Sequence, residues 1–320
     1  VMRFIAGLGI GGVMPNVVAL MSEYSPRRIR STLVAVMFSG YAIGGMLSAV
    51  LGIWIVPQFG WQVMFYLAVI PLLLLPLIWT QLPDSVAFLV RQGKIAEARK
   101  VLAALTGKPL PDDAELAVHQ PQKTEQSLAA LFSNNRALST LMFFQAFFMC
   151  LLMVYGLGSW LPKLMTMAGY GFGSSLMFLL FLNIGGIIGA IGGGWLSDRF
   201  HPRPVLMLFF TLAAVSLALL GFKSHVAVLY FLVTVAGATT IGSQILLYAY
   251  VAQFYPTAIR STALGWSSGV GRIGAILGPV LGGALLAMQL SHQMNFLAFV
   301  VPGALAVIAI MLTAGRKEAV

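Results

Sequence analysis

Nine stretches of this 320-residue chain are long and apolar enough to cross a lipid bilayer, at about 1–21, 33–56, 61–80, 138–160, 173–196, 204–222, 226–250, 262–288 and 293–314. A crossing helix needs ~20 apolar residues to span ~30 Å of hydrocarbon. Inside lipid the backbone must satisfy its own hydrogen bonds, so apolar stretches of this length can only be helices. An all-α membrane protein follows. The composition agrees, with 59% hydrophobic and 9% charged residues, against ~25% charged in soluble domains. A soluble globular enzyme is excluded. A single cysteine, Cys150, excludes a disulfide scaffold. The 34 glycines and 15 prolines would break soluble helices, but membrane helices tolerate both.

The net charge of +10 could suggest a nucleic-acid partner, but the placement of the basic residues argues against one. Loops after odd-numbered spans, together with the C-terminal tail, hold 15 Lys and Arg; loops after even-numbered spans hold only Lys163 and Lys223. Without the long loop 81–137 the balance is still 8 against 2. Basic residues concentrate on the cytoplasmic side of membrane proteins. The odd-numbered loops and the C-terminus are therefore expected in the cytoplasm.

The same pattern divides the chain into 1–80 (three spans), a linker 81–137, and 138–320 (six spans). Within the linker, 85–105 reads as an amphipathic helix and 111–126 as a flexible tether. Residues 26–47 align with 256–277 at an offset of 230, matching Pro26/Pro256, Ile29/Ile259, Arg30/Arg260, Ser31/Ser261, Thr32/Thr262 and Gly44/Gly274. Internal similarity between halves of like orientation marks transporters built from a parallel repeat. The repeated loop follows the first span of the first half but the fourth span of the second. Equal halves would require three more spans before Val1, so nine of an expected twelve are present in this reading.

Few polar residues lie within the spans. Arg272 is 12 residues beyond Arg260, about 18 Å along a helix, which reaches the middle of the membrane. An arginine at that depth is a functional hypothesis by default; it could bind an anionic substrate or neutralise a carboxylate on another span. Arg3 is a second intramembrane cation. Asn183, Tyr155, Gln244 and Tyr248 could line a cavity, and the last two share a helix face at a spacing of four. Glycines 193 and 194, followed by Trp195, Leu196, Ser197, Asp198 and Arg199, end a span with an acid–base pair suited to a conformational latch. The loops holding Glu23 and Arg30, and Arg260, read as paired gating elements. No Asp or Glu lies deep in any span, and no metal cluster, phosphate loop or nucleophile triad is present in the sequence.

These stretches together resemble the major facilitator superfamily over essentially the whole chain, and most closely its aromatic acid:proton symporter family, whose members include 4-hydroxybenzoate and phenylpropionate carriers. The resemblance rests on residues 3–26, 83–85, 193–199 and 253–283. It implies a major facilitator fold of two parallel-repeat halves in a bacterial inner membrane. It also implies inward transport of a small aromatic carboxylate with a proton by alternating access. The proton gradient would supply the energy, with no cofactor and no metal, and the carrier would work as a monomer among membrane lipids. Residues matching Arg3, Glu23, Asp198, Arg260 and Arg272 fall at functional motif positions of the family. The resemblance also implies an acidic motif in the first helix, which this sequence does not contain. The pattern Gly274-x-x-x-Gly278-Pro279-x-x-Gly282-Gly283 lies in the second half, and its first-half counterpart lacks the proline, which disfavours a drug exporter. Alternative cargoes are a sugar, a quinate-like acid or an aliphatic organic acid. A non-transporting membrane sensor is the alternative from another class.

Overall fold

The computed structural model describes residues 5–7, 17, 20, 21, 24, 30–81, 84, 86–106, 128–222 and 224–313. Among them every regular element is a helix. The chain divides into two compact units, one of residues 1–40 and 62–121, the other of residues 41–61 and 122–320.

Helix α1 (Arg30–Phe59) begins at the arginine of the repeated loop. Beyond it, the expected single span 61–80 is a succession of shorter pieces: α2 (Gln62–Leu67), a 3-10 turn (Ile70–Leu74) and α3 (Leu75–Gln81). Pro71 and Pro76 fall in this stretch. Each removes a backbone donor and crowds the preceding turn, so uniform hydropathy concealed a break. The linker helix expected over 85–105 is likewise two helices, α4 (Val86–Arg91) and α5 (Ile95–Thr106). Gly93 ends α4 in the left-handed region (φ 77°). The Lys94 N–H bonds to the Leu89 carbonyl and the Gly93 N–H to that of Val90, the pairing that closes a glycine-terminated helix. Leu89 and Ala98 are buried, and Lys94 pairs with Glu97 at 4.0 Å on the exposed side. The expected tether at 111–126 and most of the first expected span lie outside the described residues.

In the second unit six helices follow in order: α6 (Ala137–Met167), α7 (Phe172–Phe200), α8 (Pro202–Leu220), α9 (Val226–Phe254), α10 (Thr257–Ala287) and α11 (His292–Leu312). All six contain windows long and apolar enough to cross a membrane. They match the six spans expected after the linker. A single residue, His201 at φ 68°, turns the chain from α7 into α8. Side-chain bonds mark the two ends of the bundle. At one end Arg203 donates to the Met311 carbonyl (2.8 Å), and the Tyr250 and Thr313 hydroxyls pair at 3.1 Å. At the other, the His292 ring meets the Leu220 carbonyl at 3.2 Å.

Glycines set the closest helix pairings. Gly185 and Gly189 of α7 lie directly against the Thr234 and Ala238 carbonyls of α9. Gly274 and Gly278 of α10 lie against the Phe148 and Leu152 carbonyls of α6. A side chain at any of the four would collide with main chain. Nearer the ends of α6 and α10, Gly282 and Gly283 sit beneath the Trp160 ring, whose Nε1–H donates to the Pro279 carbonyl at 2.7 Å. Phe143, Phe147, Phe178, Phe210, Phe296 and Phe299 fill the centre of this unit. The outer face of α8 exposes Leu208, Leu212, Val215 and Leu219, a stripe suited to lipid because acyl chains are as apolar as leucine.

Candidate functional site

Arg272 stands at the middle of α10, a helix of 31 residues. The glycine stripe turns α10 toward α6, with Gly271 on Phe147 (3.2 Å from a Cβ placed there) and Gly274 and Gly278 on the main chain. This leaves the Arg272 side chain exposed. Its Nη1–H donates to the Tyr155 hydroxyl of α6 at 3.0 Å. Among the described residues Arg272 has no acidic partner; the one ion pair there is that of the linker. A cation within a membrane span and without a counter-ion is costly, and an anion entering the site would relieve that cost.

Tyr248 of α9 closes the same site from another side. Its ring meets Phe147 edge-on, with centroids 5.0 Å apart at 76°. Its hydroxyl lies within electrostatic reach of Arg272, Ser268 and Tyr155. Three helices thus converge: α6 brings Tyr155 and Phe147, α9 brings Tyr248, and α10 brings Ser268 and Arg272. Gln244, half-buried, is one turn from Tyr248 on α9. The site offers a guanidinium, several hydroxyls and aromatic surface. These are groups that can hold a polar aromatic ligand; among the described residues no group of three His, Cys, Asp or Glu could hold a metal.

Asn183 is engaged elsewhere. It is 8% exposed, donates to the Leu179 carbonyl of its own helix at 2.8 Å, and packs on Gly45 of α1, where its Oδ1 would be 2.7 Å from an added Cβ. Ser268 and Phe147 belong to the site although sequence reasoning passed over both. Ser268 could have been found from its place four residues before Arg272 on one helix face. Nothing local distinguishes Phe147 among the 21 phenylalanines.

The expected gating residues are placed unevenly. Arg3 and Glu23 lie outside the described residues. Arg30 opens α1 and Asp198 lies in the last turn of α7, the side chains of both being outside the described set. The Arg199 guanidinium lies over the rings of Trp195 and Phe200, 5.7 and 5.8 Å from their centroids. Arg260 turns back to donate from Nε to the Tyr255 carbonyl at 3.4 Å, covering the end of α9. Beside it, buried Tyr255 shares a 2.6 Å hydroxyl bond with Thr140, which donates to the Leu131 carbonyl at 2.7 Å. Burial raises the Tyr255 phenol above its ordinary pKa, while Thr140 and Arg136 oppose the rise. In the first unit, Tyr24 donates to the Asp84 carbonyl at 2.8 Å. Each repeated loop therefore carries a tyrosine that binds the chain near one end of the linker.

Residues 1–159 match the Sugar (and other) transporter family, and residues 183–319 match the Major Facilitator Superfamily. The benzoate transport protein of Acinetobacter baylyi is 48% identical, over 99% of this chain and 69% of its own length. The gentisate transporter of Corynebacterium glutamicum is 39% identical, over 93% of this chain and 62% of its own. The 4-hydroxybenzoate transporter PcaK of Pseudomonas aeruginosa is 38% identical, over 97% and 70%. The chain thus spans about two thirds of the length of these curated relatives. Among solved structures, the xylose transporter XylE of E. coli in a partially occluded inward-open conformation aligns with a TM-score of 0.66 at 18% identity, over 95% of this chain and 68% of that one; this likeness bears on fold alone. The relatives are transport proteins rather than enzymes, and the solved neighbour shares the all-helical fold described above. The chain belongs to the major facilitator superfamily and, within it, to the family of aromatic acid transporters.

Proposed function

We propose that this chain imports small aromatic monocarboxylates with protons by alternating access, and that Arg272 anchors the substrate carboxylate. The observation that carries this reading is the mid-span guanidinium with a phenol as partner and no acid beside it among the described residues. The benzoate, gentisate and 4-hydroxybenzoate carriers among the relatives support the aromatic part of the assignment. Tyr248, held edge-on by Phe147, supplies a surface for the ring, and Gln244 a polar group for ring substituents. Arg3 is a second cation for the substrate. Asp198 and Arg199, with Glu23, Arg30 and Arg260, close the cytoplasmic side in the outward-open state. The energy source is the proton gradient, the carrier acts as a monomer in the bacterial inner membrane, and its C-terminus is cytoplasmic, as the loop charges suggest. A neutral sugar is the poorer cargo, because it would leave the Arg272 charge uncompensated.

The test is uptake of labelled benzoate and 4-hydroxybenzoate by cells expressing the gene, with and without a protonophore. Accumulation that collapses with the protonophore is expected. Absence of accumulation, with the protein demonstrated in the membrane, would remove these substrates. Uptake indifferent to the protonophore would remove the proton coupling.

A further inference from the structure

The hydrogen bond between Arg272 and Tyr155 has a fixed direction. A guanidinium carries only donors, so at 3.0 Å the Tyr155 oxygen accepts from Arg272 Nη1. The phenol is then left with its own proton to give. Among the described residues no acceptor takes that proton, and Tyr155 is only half-buried while Arg272 is exposed. The two side chains are 117 residues apart in sequence and meet at 3.0 Å, so the remaining N–H groups of Arg272 and the O–H of Tyr155 are neighbouring donors. A carboxylate has two oxygens and accepts from both.

We infer that Tyr155 and Arg272 form a two-donor clamp for a carboxylate, Arg272 donating N–H to one oxygen and Tyr155 donating O–H to the other. This rests on the reading that the cargo is an aromatic monocarboxylate, and adds the group that selects its head. Every polar group of the clamp that faces the ligand is a donor. An anion with two acceptor oxygens satisfies both. A primary amide of the same shape carries no charge for Arg272 and turns an NH2 toward one of the two donors, so it binds less well. Tyr248 stands beside the clamp with its ring fixed by Phe147, so the ring of the substrate lies against α9 while its head lies between α6 and α10.

The experiment measures benzoate uptake kinetics, and competition by benzamide, for the parent and Tyr155→Phe. A hydrogen bond to a charged group is worth about tenfold or more in affinity. Tyr155→Phe should raise the benzoate KM by about that factor, with the maximal rate within about twofold, and the preference for benzoate over benzamide should fall by a similar factor. A second variant separates donation to the substrate from mere support of Arg272 and survives any folding defect of the phenylalanine form. 3-Fluorotyrosine at position 155, assayed at mildly acidic pH where its phenol stays protonated, is a stronger donor and a weaker acceptor. The clamp predicts a lower benzoate KM than the parent. An unchanged or higher KM would overturn the clamp. If the parent itself takes up no benzoate, the reading of the cargo fails instead, and that outcome is distinct from parent uptake that Tyr155 leaves untouched.

Discussion

Helices α7 and α10 are 29 and 31 residues long and hold seven glycines each. They even share a local pattern. Asn183-Ile-Gly185-Gly-Ile-Ile-Gly189 in the one corresponds to Arg272-Ile-Gly274-Ala-Ile-Leu-Gly278 in the other. In both, the glycines at the third and seventh positions of this stretch press onto the main chain of a neighbour, α9 for α7 and α6 for α10. The polar residue stands about 140° away around each helix, at 3.6 residues per turn. Yet Asn183 is buried against Gly45 and bonded to its own backbone, while Arg272 is exposed and bonded to a tyrosine from another helix. The same register yields packing in one case and the proposed binding site in the other. The difference lies in what covers the polar side: a glycine of α1 for Asn183, and a set of hydroxyl and aromatic side chains around Arg272.

The largest effects should come from breaking what the two helices share. Gly189→Leu and Gly274→Leu each drive a side chain into a neighbouring carbonyl. Overpacking costs about 1–3 kcal/mol even where side chains can yield, and more where main chain must move. Both variants should disappear from the membrane fraction or elute as aggregate on size-exclusion in detergent; a well-folded product from either would contradict the close pairing. The next test separates the helices. Arg272→Ala should abolish benzoate uptake at an unchanged amount of protein in the membrane, whereas Asn183→Ala should keep uptake within about twofold and cost about 1 kcal/mol of stability, the worth of one ordinary hydrogen bond. Equal losses from both alanine variants would erase the distinction between site and scaffold. The smallest effect is expected at the end of the bundle. Tyr255→Phe removes one partner of Thr140 but leaves Thr140 its bond to Leu131. A thermal scan should show a fall of about 2 °C or less.

Much of the fold was legible because hydropathy over twenty residues is a strong local signal, and all six helices of the second unit appear where the spans were expected. The signal fails where it is uniform. Residues 61–80 are apolar throughout, so the breaks at Pro71 and Pro76 had to be read from proline chemistry and were not. The linker break at Gly93 was hidden for the same reason, since the amphipathic pattern continues across it.

For the site, position along the helix was legible and partnership was not. Counting residues from Arg260 put Arg272 in mid-span, and it stands at the middle of α10. Its bond to Tyr155 depends on α6 packing against a glycine stripe 117 residues away, and no local pattern encodes that. Asn183 was grouped with the cavity residues because an amide in an apolar span looks the same whether a glycine or an open space faces it. The pairing of Tyr255 with Thr140 escaped for a similar reason, although the tyrosine before Pro256 was in view.

The central claim is that Arg272 holds the carboxylate. Equilibrium binding of benzoate to purified protein, parent against Arg272→Gln, tests it without the complications of transport. The account predicts saturable binding by the parent and at least a hundredfold weaker binding by the variant, at closely similar melting temperatures, as loss of both the charge-assisted hydrogen bonding and the attraction of the charge implies. Equal affinity for benzoate in the two proteins would contradict it.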